Sequence, residues 1–364
     1  VLGVLECNIP DEARSFKEAD PVTTQIGQNV ADFLLANMRQ GLIPPTFLNL
    51  QSGVGSGANA VLGALGQCQE VPNFNIYTEV LQDAPVQLMR EGRVLSASAC
   101  SLTVTNDCLR GIYDDMDFFK DKLVLRPSEI SNCPEVIARI GVCSLNTAIE
   151  CDIYGHVNST KICGTKMMNG IGGSADFTNN AYLSIFTCGS TTKGGAISSI
   201  VPFASHIDHT NHFIDAVITE YGVADLRHKS DMQKAEALIQ VAHPDYQPLL
   251  RDYLKHAEKF GGHTHHVLSA AFGMHDTFIR KGDMQIEIDG SRKDCFELVL
   301  TKDASEVEDH KIEVVGPEMD EFEAGSKISL SYTVEVAGKN MQPDFEPVFE
   351  RKIHSFLNCV EGLM

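Results

Sequence analysis

The sequence lacks the marks of a membrane-spanning or exported chain. No apolar run among its 364 residues is long enough to cross a bilayer. The opening Val1-Leu2-Gly3-Val4-Leu5-Glu6-Cys7 has no basic lead and no cleavage site, so it predicts no signal peptide. It reads instead as an interior strand, as though the chain began mid-protein. The 11 cysteines include no C-x-x-C pair and their number is odd, which argues for reduced thiols in a cytosol rather than a disulfide framework. Cys143, Cys163 and Cys188 sit in apolar runs and are expected to be small core residues. Positive charge is scarce: 29 Lys and Arg stand against 49 Asp and Glu, a net charge of −20. That excludes nucleic acid as an expected partner, because phosphate neutralisation needs a basic face. An anionic ligand would need local donors, namely helix N-termini, loop amides and a few placed lysines. There is no internal repeat and no low-complexity segment.

What is present is a chain 43% hydrophobic and long enough for two or more domains with real cores. It is organised around Gly53 to Glu79, which reads as strand, glycine loop, helix and strand. Phe47, Leu48 and Leu50 predict the first strand. Gly53, Gly55 and Gly57 allow tight curvature and leave N–H groups uncovered. Ala58 to Leu65 opens a helix whose N-terminus favours negative charge. Ile76 and Tyr77 begin the second strand, with Glu79 near its end. In open α/β sheets, strand ends face the ligand crevice. Three readings compete on these residues alone. Gly53-x-Gly55-x-x-Ala58 satisfies a loose dinucleotide fingerprint, with Glu79 placed to hold a ribose. Glu79 could instead be a nucleophile and the loop an oxyanion hole. The third reading is a tight turn beside an exposed carboxylate.

Further along, Asp20 to Gly41 predicts a helix with Ile26, Val30, Phe33, Leu34 and Met38 as its apolar stripe, capped by Thr23 or Thr24. Helices are expected near Pro85–Glu91, Asp107–Asp115, Pro134–Gly141, Met232–Ala242 and Gln247–His256. Strands are expected at Val94–Ala99, at Leu123–Leu125 as a short buried strand, at Gly141–Leu145, Ala148–Tyr154 and Ala216–Thr219. This alternation predicts an α/β fold with an open, mostly parallel, doubly wound sheet. Met168 to Phe177 is a second glycine loop containing Gly172 and Gly173, and Lys193-Gly194-Gly195 follows one strand later. After Met284 the rhythm changes. Asp289-Gly290 signals a hairpin, Ile328 to Val336 alternates as a half-buried strand, and Phe345 to Val360 predicts an amphipathic helix. Residues 284–364 hold 8 Lys and Arg against 18 Asp and Glu. A boundary is expected near 284, giving a first domain over 1–284 and a smaller α+β domain over 285–364.

Taken together, Ile26-Gly27-Gln28-Asn29-Val30-Ala31-Asp32, Gln51-Ser52-Gly53-Val54-Gly55, Tyr77-Thr78-Glu79, Arg126-Pro127-Ser128-Glu129-Ile130-Ser131-Asn132, Asn169-Gly170-Ile171-Gly172-Gly173-Ser174 and Thr219-Glu220-Tyr221-Gly222-Val223-Ala224-Asp225-Leu226 resemble, in that order, the acetyl-CoA hydrolase/transferase family of class I CoA-transferases. The likeness covers residues 1 to about 284, as a C-terminal catalytic half, and implies a CoA-transferase-like fold. It implies that Glu79 attacks an acyl-CoA thioester, and that a glutamyl-CoA thioester then passes coenzyme A from succinyl-CoA or acetyl-CoA to a small carboxylic acid. Backbone N–H groups near Gly57 and at Gly173 match the family's oxyanion positions. Asn132 matches a residue that orients the glutamate or the substrate. Gly53, Gly55, Gly172 and Lys193 match the surroundings of coenzyme A, which acts as a substrate, so no cofactor and no metal are expected. Location in the cytoplasm is expected, with no membrane partner. The family has another α/β domain before the point where this chain begins, so a second copy or an N-terminal half supplied in trans is the implied protein partner. His228 stands where the family more often has glycine.

From Ile279-Arg280-Lys281-Gly282-Asp283-Met284 through Asp344 to His354 the tail resembles the middle part of the acetyl-CoA synthase subunit of the carbon monoxide dehydrogenase complex. That family's nickel–iron–sulfur ligands lie further downstream, and Cys295 with Cys359 cannot hold such a cluster. The chain therefore reads as a truncated chimera joined at Gly-Asp-Met. Two rival functions stay open: acetyl-CoA hydrolysis, and a catalytically silent module that binds coenzyme A or a partner. His206, His209 and His212, three apart, are weighed as zinc ligands against a packed cluster, since the transferase family uses no metal. His263, His265 and His266 read as a loop packed on the sheet or a minor contact to coenzyme A. Glu220 reads as a structural hydrogen-bond partner more than as a second catalytic carboxylate.

Overall fold

Asp20 caps the first described helix. In the computed structural model its Oδ1 accepts the Thr23 N–H at 2.8 Å, and Pro21 occupies the first helical position, where its missing N–H costs nothing. The cap of helix α1 (Pro21–Arg39) is thus Asp20 rather than Thr23 or Thr24, whose hydroxyls instead donate to the Asp20 carbonyl. The structure describes residues 3–4, 6, 20–53, 55–258, 270–286, 310–313 and 333–336. The chain divides into two units, Val1–Val299 and Leu300–Met364. Most of the opening strand expected from Val1, the histidine loop at 263–266, the Asp289-Gly290 turn and the helix expected over 345–360 lie outside the described residues.

The first unit is built on eight strands: β1 (Asn49–Ser52), β2 (Phe74–Tyr77), β3 (Val94–Ala99), β4 (Leu123–Leu125), β5 (Val142–Thr147), β6 (Leu183–Thr187), β7 (Ala216–Thr219) and β8 (Gly222–Asp225). They lie in the order β8-β7-β6-β5-β1-β2-β3-β4. All neighbours are parallel except the β7–β8 hairpin. Leu50 on β1 is flanked by Ile76 on β2 and Cys143 on β5, so the order reverses at β1. Besides two single turns at Met116–Phe119 and Ser128–Ser131, the other helices are α2 (Ser56–Gln67), α3 (Asp83–Arg90), α4 (Asn106–Asp114), α5 (Pro134–Ile140), α6 (Ser174–Thr178), α7 (Asp231–Val241), α8 (Gln247–Glu258) and α9 (Gly273–Lys281).

Both faces of the sheet are covered, as a parallel sheet requires. Cys143, Leu145, Ile185, Ala216 and Ile218 pack on one face with Val30 and Leu34 of α1, Leu62 of α2 and Met89 of α3. The alternate residues Phe186 and Val217 pack on the other with Leu238 of α7 and Tyr253 of α8, and Val142 packs with Ile137 and Phe177. Each fully buried Leu or Phe of this kind contributes roughly 1.5–3 kcal/mol. Gly27 brings α1 against α2: a Cβ there would stand 2.7 Å from the Ala60 carbonyl oxygen. Three expectations are revised. The first strand starts at Asn49, because Phe47 turns at φ +66°. Leu123–Leu125 is an edge strand rather than a buried one, with Val124 42% and Leu125 51% exposed, since no described strand pairs beyond it. Cys163 is half-buried at φ +47° in a hairpin turn, not in a core, while Cys143 and Cys188 are buried.

Met284 is buried in the second-face core, and its N–H donates to the Ala196 carbonyl at 2.8 Å. In the second unit the described residues are two antiparallel strands, His310–Glu313 and Thr333–Val336, running from the pair His310 and Val336 to the pair Glu313 and Thr333. Thr333–Val336 falls within the strand expected over Ile328–Val336. Among the described residues no helix is long and apolar enough to cross a membrane.

Candidate active site

The reversal of strand order at β1 opens a crevice beyond the C-terminal ends of the strands. A cavity of about 1210 Å³ lies there, lined by Gly53 after β1, Thr78 and Glu79 after β2, Asn146 at the end of β5 and Cys188 after β6. The backbone of Glu79 is held firmly. Its carbonyl accepts the N–H groups of Cys100 at 2.8 Å and Ser101 at 3.2 Å, and the Cys100 thiol at 3.0 Å. Burial pushes the Cys100 thiol up, and the Glu79 charge adds to it. The Thr78 hydroxyl reaches back to the Ser52 carbonyl at 3.2 Å, tying β2 to β1 beside the carboxylate.

The Glu79 side chain runs to the second glycine loop, where its Oε2 accepts the Gly173 N–H at 2.6 Å. Gly172 reaches this arrangement at φ +53°. A Cβ on Gly173 would stand 2.4 Å from both Glu79 Oε2 and Asn132 Nδ2. Glu79, Asn132 and Gly173 therefore meet at one point, although they come from three separate loops. The Asn132 amide donates to Asp176 at 3.1 Å, and its Oδ1 is buried without a partner in the protein. This geometry offers an anionic oxygen and an adjacent backbone donor, the pairing a nucleophilic carboxylate needs.

The first glycine loop is placed differently. Gly53 lines the cavity, whereas Gly55 and Gly57 are not among its lining residues. The Gly55 N–H donates to Gln82 Oε1 at 3.1 Å, and Gln82 Nε2 donates to the Gly53 carbonyl at 2.9 Å. Gly57 sits in the first turn of α2. Lys193 lines the cavity with its Nζ 4.8 Å from the centre of the Phe278 ring, at φ +51°. Lys166 is the other lysine among the lining residues.

Two groups escaped the sequence reading. Gln82 is one, fastening the first loop. Glu150 is the other: it lines the cavity and is 5% exposed. His275 Nε2 donates to it at 2.8 Å, Asn158 at 3.0 Å and the Ser205 N–H at 2.6 Å. Burial pushes this carboxyl up, but the His275 bond and charge and the other donors outweigh it and hold it below the usual carboxylate range. A hydropathy reading treats an isolated acid near a β-strand as surface, so only the apolar neighbours Ala148 and Ile149 hinted at its burial. Both Glu220 oxygens accept from Ser190, at 2.9 and 2.6 Å, a structural role as expected. His206, His209 and His212 do not converge. His206 faces Asp208 at 3.1 Å, and His209 packs at a tilt against Phe186 with ring centres 4.9 Å apart. Among the described residues no cluster of His, Cys, Asp and Glu is arranged to hold a metal ion.

Comparison with known proteins matches this same region. Residues 109–254 match the acetyl-CoA hydrolase/transferase C-terminal domain. Over 285 residues the chain is 50% identical to the propanoyl-CoA:succinate CoA transferase of Escherichia coli, covering 78% of this chain and 58% of that protein. The chain carries the C-terminal domain of the acetyl-CoA hydrolase/transferase family. The succinyl-CoA:acetate CoA-transferase of Clostridium kluyveri is 47% identical over 78% of the chain and 53% of its own length. An acetyl-CoA hydrolase of Candida glabrata is 40% identical over 79% of the chain and 56% of its own. The chain thus spans just over half the length of these family members. Among solved structures, 4-hydroxybutyrate CoA-transferase from Porphyromonas gingivalis superposes with a TM-score of 0.53 at 26% identity, covering 67% of this chain and 57% of that one. RipA from Yersinia pestis gives 0.59 at 26% identity, covering 68% and 56%. The CoA-transferase-like, doubly wound fold expected from the sequence is the fold observed. Residues 268–364 match a second family, the CO dehydrogenase/acetyl-CoA synthase complex beta subunit.

Proposed function

We propose that the chain carries the catalytic carboxylate of a CoA-transferase and that Glu79 is that group. The observation that carries the reading is the Glu79 carboxylate in the strand-end cavity, 2.6 Å from the Gly173 N–H. In the first step a Glu79 oxygen attacks the acyl-CoA carbonyl carbon, the C–S bond breaks and coenzyme A thiolate leaves, giving an acyl-glutamyl anhydride. The thiolate then attacks the glutamyl carbonyl, expelling the first acid and leaving a glutamyl-CoA thioester. A second carboxylate repeats the sequence in reverse, so Glu79 is regenerated. Each step passes through an oxyanion, which a fixed backbone donor stabilises more than it does the ground state. Gly173 supplies such a donor, and Gly57 is assigned a second in the first loop. Asn132 orients the carboxylate. Gly53 and Gly172 border the thioester, Gly55 braces the first loop through Gln82, and Lys193 answers the negative charge of coenzyme A. The substrates proposed are succinyl-CoA or acetyl-CoA with a small carboxylic acid, in line with the names of the relatives.

The test is intact mass after mixing the protein with acetyl-CoA or succinyl-CoA. A CoA-sized adduct that hydroxylamine removes, absent in Glu79→Ala, is expected. Coenzyme A binding with no adduct at any substrate concentration would reject the reading. Hydrolysis is the second reading, favoured by the acetyl-CoA hydrolases among the relatives. In it, water resolves the acyl-glutamyl intermediate. Steady release of coenzyme A without an added acid identifies hydrolysis, and dependence on the acid identifies transfer.

A further inference from the structure

The second glycine loop is anchored by a residue that takes no part in the chemistry above. His209 is 2% exposed, and its backbone is fixed by two bonds to Val157, at 2.9 and 3.0 Å. Its ring lies against Phe186 of β6. Nε2 points at two hydroxyls, Ser159 Oγ at 3.2 Å and Ser174 Oγ at 3.3 Å. Ser174 directly follows Gly173.

The protonation of this ring follows from its neighbours. The Ser174 hydroxyl donates to the Ile171 carbonyl at 2.7 Å, and the Ser159 hydroxyl faces Asp208 Oδ2 at 3.4 Å. Each serine has one proton, and each has an acceptor for it elsewhere. Toward His209 both oxygens therefore accept, which places the proton on Nε2. Nδ1 is then a bare nitrogen, buried and without a partner. A second proton there would put a charge in a dry site. Burial accordingly holds the imidazole below the usual histidine range, against the pull of Asp208.

We propose that His209 is a positioning residue: its Nε2–H, shared between Ser159 and Ser174, fixes the loop that presents the Gly173 N–H to Glu79. Its catalytic consequence rests on the reading of Glu79 as the nucleophile. Its structural consequence does not. One neighbouring bond ties the other end of the same loop, and a second holds Ser159 itself. Asn169 Nδ2 donates to the Ser159 carbonyl at 2.8 Å, and Asp208 accepts the Ser159 N–H at 2.8 Å. Ser159 is thus the post to which the loop is attached on both sides of its glycines, and His209 is the link between that post and Ser174.

The experiment compares His209→Phe, His209→Gln and Ser174→Ala in the full chain. Phe keeps the ring on Phe186 and removes the donor. Gln keeps an N–H donor near the position of Nε2. Ser174→Ala removes only the acceptor on the loop. Two readouts are taken: hydrogen exchange of the Gly173 amide, and kcat and KM for acyl-CoA. His209→Phe and Ser174→Ala are expected to exchange the Gly173 amide at least tenfold faster than wild type, with Gln restoring most of the protection. They are expected to lower kcat about tenfold while KM changes less than twofold. Wild-type protection of Gly173 in both variants would overturn the proposal. So would kcat falling equally in Gln and Phe, which marks loss of packing rather than of the donor. An inactive wild type with the exchange pattern intact would sink the Glu79 reading and leave the loop anchor standing.

Discussion

The Glu79 carboxylate occupies the space that any side chain on residue 173 would need. Gly173 has φ −82°, which alanine adopts without strain, so only the contact is at stake. A Cβ there would stand 2.4 Å from Glu79 Oε2. Gly173→Ala must push the carboxylate or the loop aside by about 1 Å, a misplacement that costs roughly 100-fold in rate. The expected result is a drop of that order in kcat with an unchanged far-ultraviolet circular dichroism spectrum. Activity within threefold of wild type would show that the Gly173 donor is dispensable.

Lys193 tests the anion side of the cavity. Its ammonium group rests over Phe278 and lines the same space as Glu79. Lys193→Ala removes one charge-assisted contact, which corresponds to about tenfold in affinity. Titration calorimetry with coenzyme A should show that loss, and KM for acyl-CoA should rise by a similar factor while kcat holds. Unchanged affinity would place the coenzyme A phosphates away from Lys193.

Glu150 sets an acid limit on stability. Its carboxyl is held below the ordinary value near 4.5 in the folded state. A depressed folded pKa contributes stability that is complete above the unfolded value and is lost as pH falls through the folded one. The wild-type melting temperature should therefore fall as pH drops from about 4.5. Glu150→Gln, which leaves His275 without its buried carboxylate, should be less stable at pH 7 by about 3–5 kcal/mol and show a shallower acid decline. Parallel pH profiles for the two proteins would reject this origin.

His228 is held at φ +56°, in the left-handed region. Side chains there cost about 1–2 kcal/mol, and glycine gives back part of that gain through its looser unfolded state. His228→Gly is expected to stabilise the protein by about 0.5 kcal/mol, read from urea unfolding at constant slope. Destabilisation would mean that the ring makes contacts worth more than the backbone strain.

The order of strands and helices was legible because each element carries its own signal. The apolar stripe of α1, Pro134 at the start of α5 and the glycine after it can be read without knowing what lies beside them. The second glycine loop, read as facing a crevice, lines the cavity with Gly170, Gly172 and Gly173, whereas of the three glycines in the first loop only Gly53 does. What could not be read is what depends on pairing across the chain. Glu150 and His275 are 125 positions apart, and nothing near either predicts that they touch. Gln82 stands at the N-cap position of α3, and nothing beside it in the sequence shows that its side chain reaches the Gly53 carbonyl. His209 drew attention as a metal candidate because of its spacing, but its ring turns inward to Ser174. Leu123–Leu125 was misjudged because an apolar triplet reads the same at the centre of a sheet as at its edge; only strand order separates the two cases.

The two partners at the centre of the site arrive from opposite wings of the sheet. Glu79 follows β2 on one side of β1, and Gly173 lies between β5 and β6 on the other, 94 residues further along. Neither wing can assemble the pair by itself, so the site exists only after β1 has been paired on both flanks. During folding it should be among the last features to appear, since a contact this distant in sequence bears a large loop-closure cost. Once formed, the Gly173 amide proton becomes a single-atom reporter on the union of the two wings: it stays protected while they remain joined and exchanges when they part.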